Sequence, residues 1–258
     1  MMRVLSYFVY TALLLPIIFV LGASLTAGGY IRFPPDGLSF RWYVAMWNDA
    51  DMMKGLLISL NIALITTVIS LVIGTMAALY LVRLNSRGRQ LMASLFLSPL
   101  SVPMVLTGFA MLVIFTQLGL VNVTGLVISH VVVTVPYMLR TVMASLSLTD
   151  PFIPRAAAIL GADPWRVFWY VMMPILKPGM LAGGMFTFLA SFNNITISVF
   201  ISSPGASPLP VVIFNRMENL AEPSAAAAAT TVILLTAVGI LILERRFSLF
   251  KSLLGSTH

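Results

Sequence analysis

Apolar runs long enough to cross a bilayer dominate this chain, and they leave it few possible architectures. An α-helix rising about 1.5 Å per residue needs about 20 apolar residues to traverse the roughly 30 Å hydrocarbon layer. Six stretches meet that need, at about 4–26, 55–82, 91–118, 124–146, 179–203 and 225–243 of the 258 residues. The loops between them are short, so residues 1–258 read as a single membrane domain with no separate soluble part. Composition agrees: 59% of the residues are hydrophobic and 9% charged, against roughly 25% charged in soluble domains. The fold class this predicts is an all-α polytopic membrane protein with six transmembrane helices, whose first partner is the lipid bilayer.

The formal net charge of +7 comes from cations at the ends of the apolar runs. They form no single stripe with interleaved aromatics, so nucleic acid is not an expected partner. They serve topology instead. With the amino terminus inside, Arg32, Arg41, Lys54 and Arg216 fall on the outer side and the other eleven of the 15 Lys and Arg residues fall on the inner side. Cytoplasmic loops are enriched in Lys and Arg, so both termini and the loop 150–177 are expected in the cytoplasm. There is no cysteine, which removes disulfides, thiol catalysis and cysteine metal sites. His130 and His258 lack neighbouring carboxylates, so no metal site is expected.

The first run follows Arg3 and contains Pro16. Its charged start and its small residues Gly22, Ala23 and Ser24 also fit a secretory signal; its length favours an uncleaved first span. After it, Pro34, Pro35, Asp36 and Gly37 mark a turn, and Phe40, Trp42, Tyr43 and Trp47 suit a short helix at the water–lipid boundary. The second run carries Ser59, Asn61, Thr66, Thr67 and Ser70, and Asn61 can bond across helices. Pro99 and Pro103, flanking Ser101, break the third run. Proline inside a span frees backbone carbonyls that protein or water must satisfy, which makes Ser101 and Pro103 candidates for lining a path. The fourth run holds His130, Pro136, Tyr137 and Arg140, with His130 expected as a buried bond between helices. Ser191, Asn193, Asn194, Thr196 and Ser198 give the fifth run the densest polar cluster of any span.

Residues 150–184 are the long polar interruption of the carboxyl half. Asp150 before Pro151, and Asp163 before Pro164, each set an N-cap oxygen ahead of a proline at the first helical position. Two short helices are predicted, with Gly161 between them as a left-handed cap. Ile153, Ala156, Ala157 and Leu160 share one face of the first, which could lie in a groove of another protein.

Ala156, Ala157, Gly161, Val171, Met173 and Pro174 stand at the spacing of the EAA loop, E-A-A-x3-G-x9-I-x-L-P, and so resemble the membrane subunits of ABC importers. The wording FPPDGLSFRWY in the first outer loop resembles permeases of the spermidine/putrescine type. The resemblance implies a type I importer permease fold in a bacterial inner membrane. It also implies partners: a second permease subunit on a different chain, two ATPase subunits and a soluble substrate-binding protein. Arg155, Ala156, Ala157, Gly161, Asp163, Pro164, Val171, Met173 and Pro174 would then couple this chain to the ATPase. Arg155 stands where the family has glutamate, a reversal of charge. No Walker A loop is present, so no cofactor is expected on this chain, which would be a transport subunit and not an enzyme. ATP and Mg would sit on the partner subunits.

The family resemblance also bears on the solute. Where polyamine-type permeases tend to carry an acidic pair, this chain has Asn193 and Asn194. An intramembrane carboxylate would be kept for a cation and asparagine has no such preference, so a dicationic polyamine is less favoured and a zwitterionic or neutral amine-bearing solute is admitted. The expected solute class is a small amine-containing one: a polyamine, or an amino acid-like or opine-like compound. Asn61, Ser101, Pro103, Tyr137, Asn193, Asn194 and Thr196 are the candidate path residues. The principal alternative is an ion-coupled secondary transporter, which would need more intramembrane ionisable groups than His130 and Arg140. A membrane enzyme would need a catalytic constellation that the chain does not display, and an export channel is set aside on the loop alone.

Overall fold

A computed structural model describes residues 2–150, 152–220 and 222–247; Pro151, Lys251 and His258 lie outside the described residues. Among the described residues the regular structure is helical, with one isolated bridge between Thr26 and Leu38. Five helices among the described residues are long and apolar enough to cross a membrane, and a sixth span is obtained if a bent helix pair counts as one. The contacts divide the chain into two units.

The first unit comprises residues up to Ile58 together with Ser207–Gly239. Helix α1 (Met2–Ser24) shows large apolar side chains such as Tyr7, Phe8 and Leu13 on its surface, as a lipid-facing helix should. Helix α2 (Arg41–Asn48) is the expected interfacial helix. Its Tyr43 hydroxyl bonds Ser24 Oγ at 2.7 Å, and Trp42 Nε1 donates to Gly28 O at 3.2 Å. Met46 and, at the start of α3 (Ala50–Arg83), Met52 are buried against Leu209 and Ala228. Leu209 opens a helix, Leu209–Leu220, and Ala228 lies in another, Pro223–Phe247. Arg216 ties this unit together, pairing with Asp49 at 2.6 Å and Glu222 at 3.2 Å. Burial works against its charge, but Asp49 and Glu222 raise its pKa overall, so it stays a cation.

The second unit is Ser59–Ala206 with the chain from Ile240 onward. Its axis is α6 (Val123–Ser147), reached through α4 (Ser86–Leu97) and α5 (Met104–Leu118). More than half of the apolar stretch of α6 is buried, which makes it the central helix of this unit. Met138, Leu139 and Val142 of α6 pack with Ala77, Ala78 and Leu81 of α3 and with Leu176. Close approach depends on glycine: a Cβ on Gly74 would sit 2.7 Å from the Met138 side chain.

Two spans differ from the sequence expectation. The third bends by 90° between Leu100 and Met104, because Pro99 sits in a 3-10 turn and Pro103 caps α5; both interrupt the helical ladder. The 15 residues of α5 span only about 22 Å, short of the hydrocarbon layer on their own. The fifth span was expected to open at 177–179 and run to 203. It runs instead as Pro164–Phe192, through α8 (Pro164–Arg166), a π-helical segment (Val167–Met172) and α9 (Met173–Phe192), and stops before the polar cluster is complete. The widened π turn lies directly before Pro174, where a missing N–H would otherwise break the ladder.

Candidate functional site

The loop 150–177 is built by its caps. Asp150 Oδ1 accepts from Phe152 N at 2.9 Å and starts α7 (Phe152–Ile159). The helix ends in a Schellman motif: Gly161 has φ +90°, its N–H reaches Ala158 O at 3.0 Å, and Ala162 N reaches Ala157 O at 3.1 Å. Asp163 Oδ1 then accepts from Trp165 N and Arg166 N, with Pro164 as the first residue of α8. The two caps and the left-handed glycine are what the sequence predicted here, but the second helix, expected to be short, is the first turn of the span Pro164–Phe192.

Placed by this frame, Arg155 is exposed, its guanidinium 5.7 Å from the centre of the Phe152 ring, and it joins no ion pair among the described residues. Ala156 is exposed and Ala157 half-buried on α7; Val171 is half-buried in the π segment; Met173 and Pro174 open α9. The sequence reading included Leu160 but missed its neighbours. Ile159 is 85% exposed, Leu160 88% and Trp165 69%. Large apolar side chains exposed together beside a rigid turn mark an interaction surface. The available signal was their position on either side of the Gly161–Asp163 turn.

The polar cluster forms a second site. The chain leaves the helix at 193–195 and resumes as α10 (Thr196–Ile201). Asn193 is exposed, its amide donating to Leu189 O at 3.1 Å; Asn194 is buried and its Oδ1 accepts from Ile197 N at 3.0 Å; Thr196 is half-buried. Short amides that bond nearby backbone compete with the helix, and this accounts for the break. Ser101 and Pro103 are exposed at the other break, before α5. The structure brings the helices that follow the two breaks together: α5 packs on α10, and a Cβ on Gly108 would lie 2.6 Å from the Phe200 ring. Asn61 is exposed on α3 and Tyr137 half-buried on α6.

His130 is buried in this unit, as the sequence suggested, with Nδ1 2.8 Å from Ser191 Oγ and Nε2 3.1 Å from Ser198 Oγ. The single hydroxyl proton of Ser198 goes to Asn194 O. Ser198 can therefore only accept from His130, which places the imidazole proton on Nε2 and makes Nδ1 the acceptor of the Ser191 hydroxyl. Thr134 Oγ1 donates to His130 O at 2.7 Å, so in its 3.1 Å contact with Ser70 the donor is Ser70. One directed network thus joins α3, α6, α9 and α10.

A helical membrane body with an exposed, doubly capped loop between two spans and a polar network among them is the build of a transporter's membrane subunit. Residues 70–247 match the family described as the inner membrane component of binding-protein-dependent transport systems, and the chain belongs to that family. It is 32% identical over 215 residues to the putrescine transport system permease protein PotI of Escherichia coli (strain K12), covering 79% of this chain and 75% of that protein. It is 25% identical over 231 residues to the spermidine/putrescine transport system permease protein PotC of Haemophilus influenzae, covering 89% of this chain and 90% of that one. In fold it is similar, with a TM-score of 0.73 at 18% identity over 95% of this chain and 94% of the other, to a chain of a bacterial ABC transporter that imports the acidic polysaccharide alginate. The chain is thus a multi-pass inner-membrane permease subunit of an ABC importer. Permeases of this class work with another permease, ATPases and a periplasmic binding protein.

Proposed function

We propose that this chain passes a small amine-containing solute inward and is driven through α7 and the turn after it. The observation that carries the coupling reading is the exposure of Ile159 and Leu160 on a capped, rigid loop. Arg155, Ala156, Ala157, Gly161, Asp163, Pro164, Val171, Met173 and Pro174 form the seat and its link to α9. ATPase subunits carrying ATP and Mg close on the cytoplasmic side, where both termini also lie, and a different chain supplies the second permease. Arg155 stands in place of the family glutamate, and the second permease supplies the standard ion-pairing contact to the ATPase subunits.

The relatives named for putrescine and spermidine support an amine solute. Asn193 and Asn194 in place of an acidic pair widen the range to zwitterionic, amino acid-like or opine-like compounds. The path runs by the two helix breaks, past Ser101, Pro103, Asn193, Asn194 and Thr196, with Asn61 and Tyr137 on its walls. The deciding experiment co-purifies the ATPase subunits with wild type and with Ile159→Ser/Leu160→Ser. Burying each side chain is worth about 1.5–3 kcal/mol, so the double variant should bind the ATPase more than tenfold more weakly and lose ATP-dependent uptake into vesicles. Unchanged association would overturn the coupling reading, and uptake without ATP would favour an ion-coupled carrier.

A further inference from the structure

A cavity of about 740 Å³ opens where the spans of the second unit end beside the coupling loop. The last turn of α3 contributes Val82 and Arg83, the segment after α6 contributes Asp150, α7 contributes Arg155, and the π segment contributes Phe168 and Met172. Its volume falls in the roughly 300–1,000 Å³ range of sites that take discrete small molecules. Its lining is mixed: Leu79, Val82, Phe168 and Met172 are apolar, while Arg83 at the end of α3 and Arg155 on α7 are cations. Arg83 and Arg155 join no ion pair among the described residues. Asp150, the carboxylate beside them, holds Phe152 N. Two cations and one carboxylate thus line the cavity together with apolar side chains, and its lining carries a net positive charge.

We propose that this cavity binds an anionic phospholipid, with its phosphate on Arg83 and Arg155 and acyl chain against Val82, Phe168 and Met172. Guanidinium groups match phosphate oxygens in a paired, fork-like geometry, and basic pockets between spans on the cytoplasmic side suit anionic headgroups. A soluble anion would satisfy the arginines but leave the apolar wall wet. A zwitterionic lipid would fill the wall but bring no net negative charge. The inference rests on the chain being a membrane subunit; it shares Arg155, but not Arg83, with the coupling seat proposed above, and the choice of the cytoplasmic leaflet follows from the orientation proposed there.

The test uses the complete transporter, purified in detergent with its partner subunits, and counts retained lipid by native mass spectrometry after adding phosphatidylglycerol or phosphatidylcholine. Each cation near a membrane surface is worth about fivefold in affinity, so two arginines should favour phosphatidylglycerol by roughly 30-fold. Arg83→Gln should cut that preference roughly fivefold, Arg83→Gln/Arg155→Gln should abolish it, and Arg83→Lys should keep most of it. Three results would overturn the proposal: equal retention of both lipids, a preference unchanged in the double variant, or inorganic phosphate displacing the lipid at the same concentration as phosphatidylglycerol does. Arg83 is outside the coupling set, so Arg83→Gln that shows the reduced lipid preference but keeps its ATPase subunits supports the lipid site alone. ATPase association unaffected by Ile159→Ser/Leu160→Ser would remove the coupling reading and leave the lipid site standing.

Discussion

His130 holds a hydroxyl on each ring nitrogen, and those hydroxyls belong to the two helices on either side of the break at 193–195. It therefore fixes where α10 sits relative to α9. Phenylalanine would fill the same space and make neither bond. Interhelical hydrogen bonds in membrane proteins average about 0.6 kcal/mol, while leaving a buried hydroxyl unsatisfied costs about 1–3 kcal/mol. Ser191 loses its one side-chain partner among the described residues whereas Ser198 keeps Asn194 O, so His130→Phe should destabilise by about 1–3 kcal/mol. A lowered midpoint in detergent denaturation checks this. The proton count makes a sharper claim: in wild type, the 15N shifts of the imidazole should report a neutral ring protonated on Nε2, and protonation on Nδ1 would refute the network as drawn. The sequence showed a histidine and a serine-rich cluster in two different spans. It could not show that they meet, because the pairing joins residues 61 and 68 positions apart and depends on a helix break.

At the scale of elements, legibility followed the range of the forces involved. The caps of α7 and α8 could be read because each is local: Asp150 and Asp163 bond N–H groups two or three residues on, and Gly161 supplies a backbone angle other residues resist. The start of the fifth span misled for the complementary reason. Lys177, Pro178 and Gly179 look like a beginning, yet the helix passes straight through them. Gly179 is there for contact with a neighbour: a Cβ on it would lie 2.6 Å from Thr141 O of α6. Glycine that ends a helix and glycine that admits one are identical in a sequence. The two kinds predict different failures. Gly161→Val forces a β-branched residue to φ +90°, a strain of about 1–2 kcal/mol or more, with nothing near it to clash. It should lower co-purification of the ATPase subunits while leaving the membrane body folded, as judged by an unchanged thermal midpoint. Gly179→Val should do the reverse and reduce the yield of folded protein.

For the whole molecule, composition settled the environment, because a chain this apolar has no other solvent. Span number was less firmly legible: the 90° bend of the third pair means that one apolar run need not be one straight crossing. Orientation is a separate property, set by cations that cost more to move across the bilayer than to leave inside. The long, 34-residue α3 extends about 51 Å, well beyond the hydrocarbon layer. One end carries Asp51 and Lys54 and the other Arg83, so its ends reach opposite aqueous faces. Leu160 lies in the loop two spans after Arg83, and Tyr30 in the segment before α2. On the proposed orientation, with the amino terminus inside and the bent pair crossing once, Leu160 belongs to the cytoplasm and Tyr30 to the outer side. Both are strongly exposed, at 88% and 77%, and the chain has no cysteine of its own, so single replacements can be labelled without background. In intact cells made permeable only at the outer membrane, a maleimide that cannot cross the bilayer should label Tyr30→Cys directly. It should reach Leu160→Cys only after the inner membrane is opened, and then less readily when the ATPase subunits are present than when they are absent. Labelling of Leu160→Cys from outside would invert the molecule and place α7 beyond the reach of any ATPase.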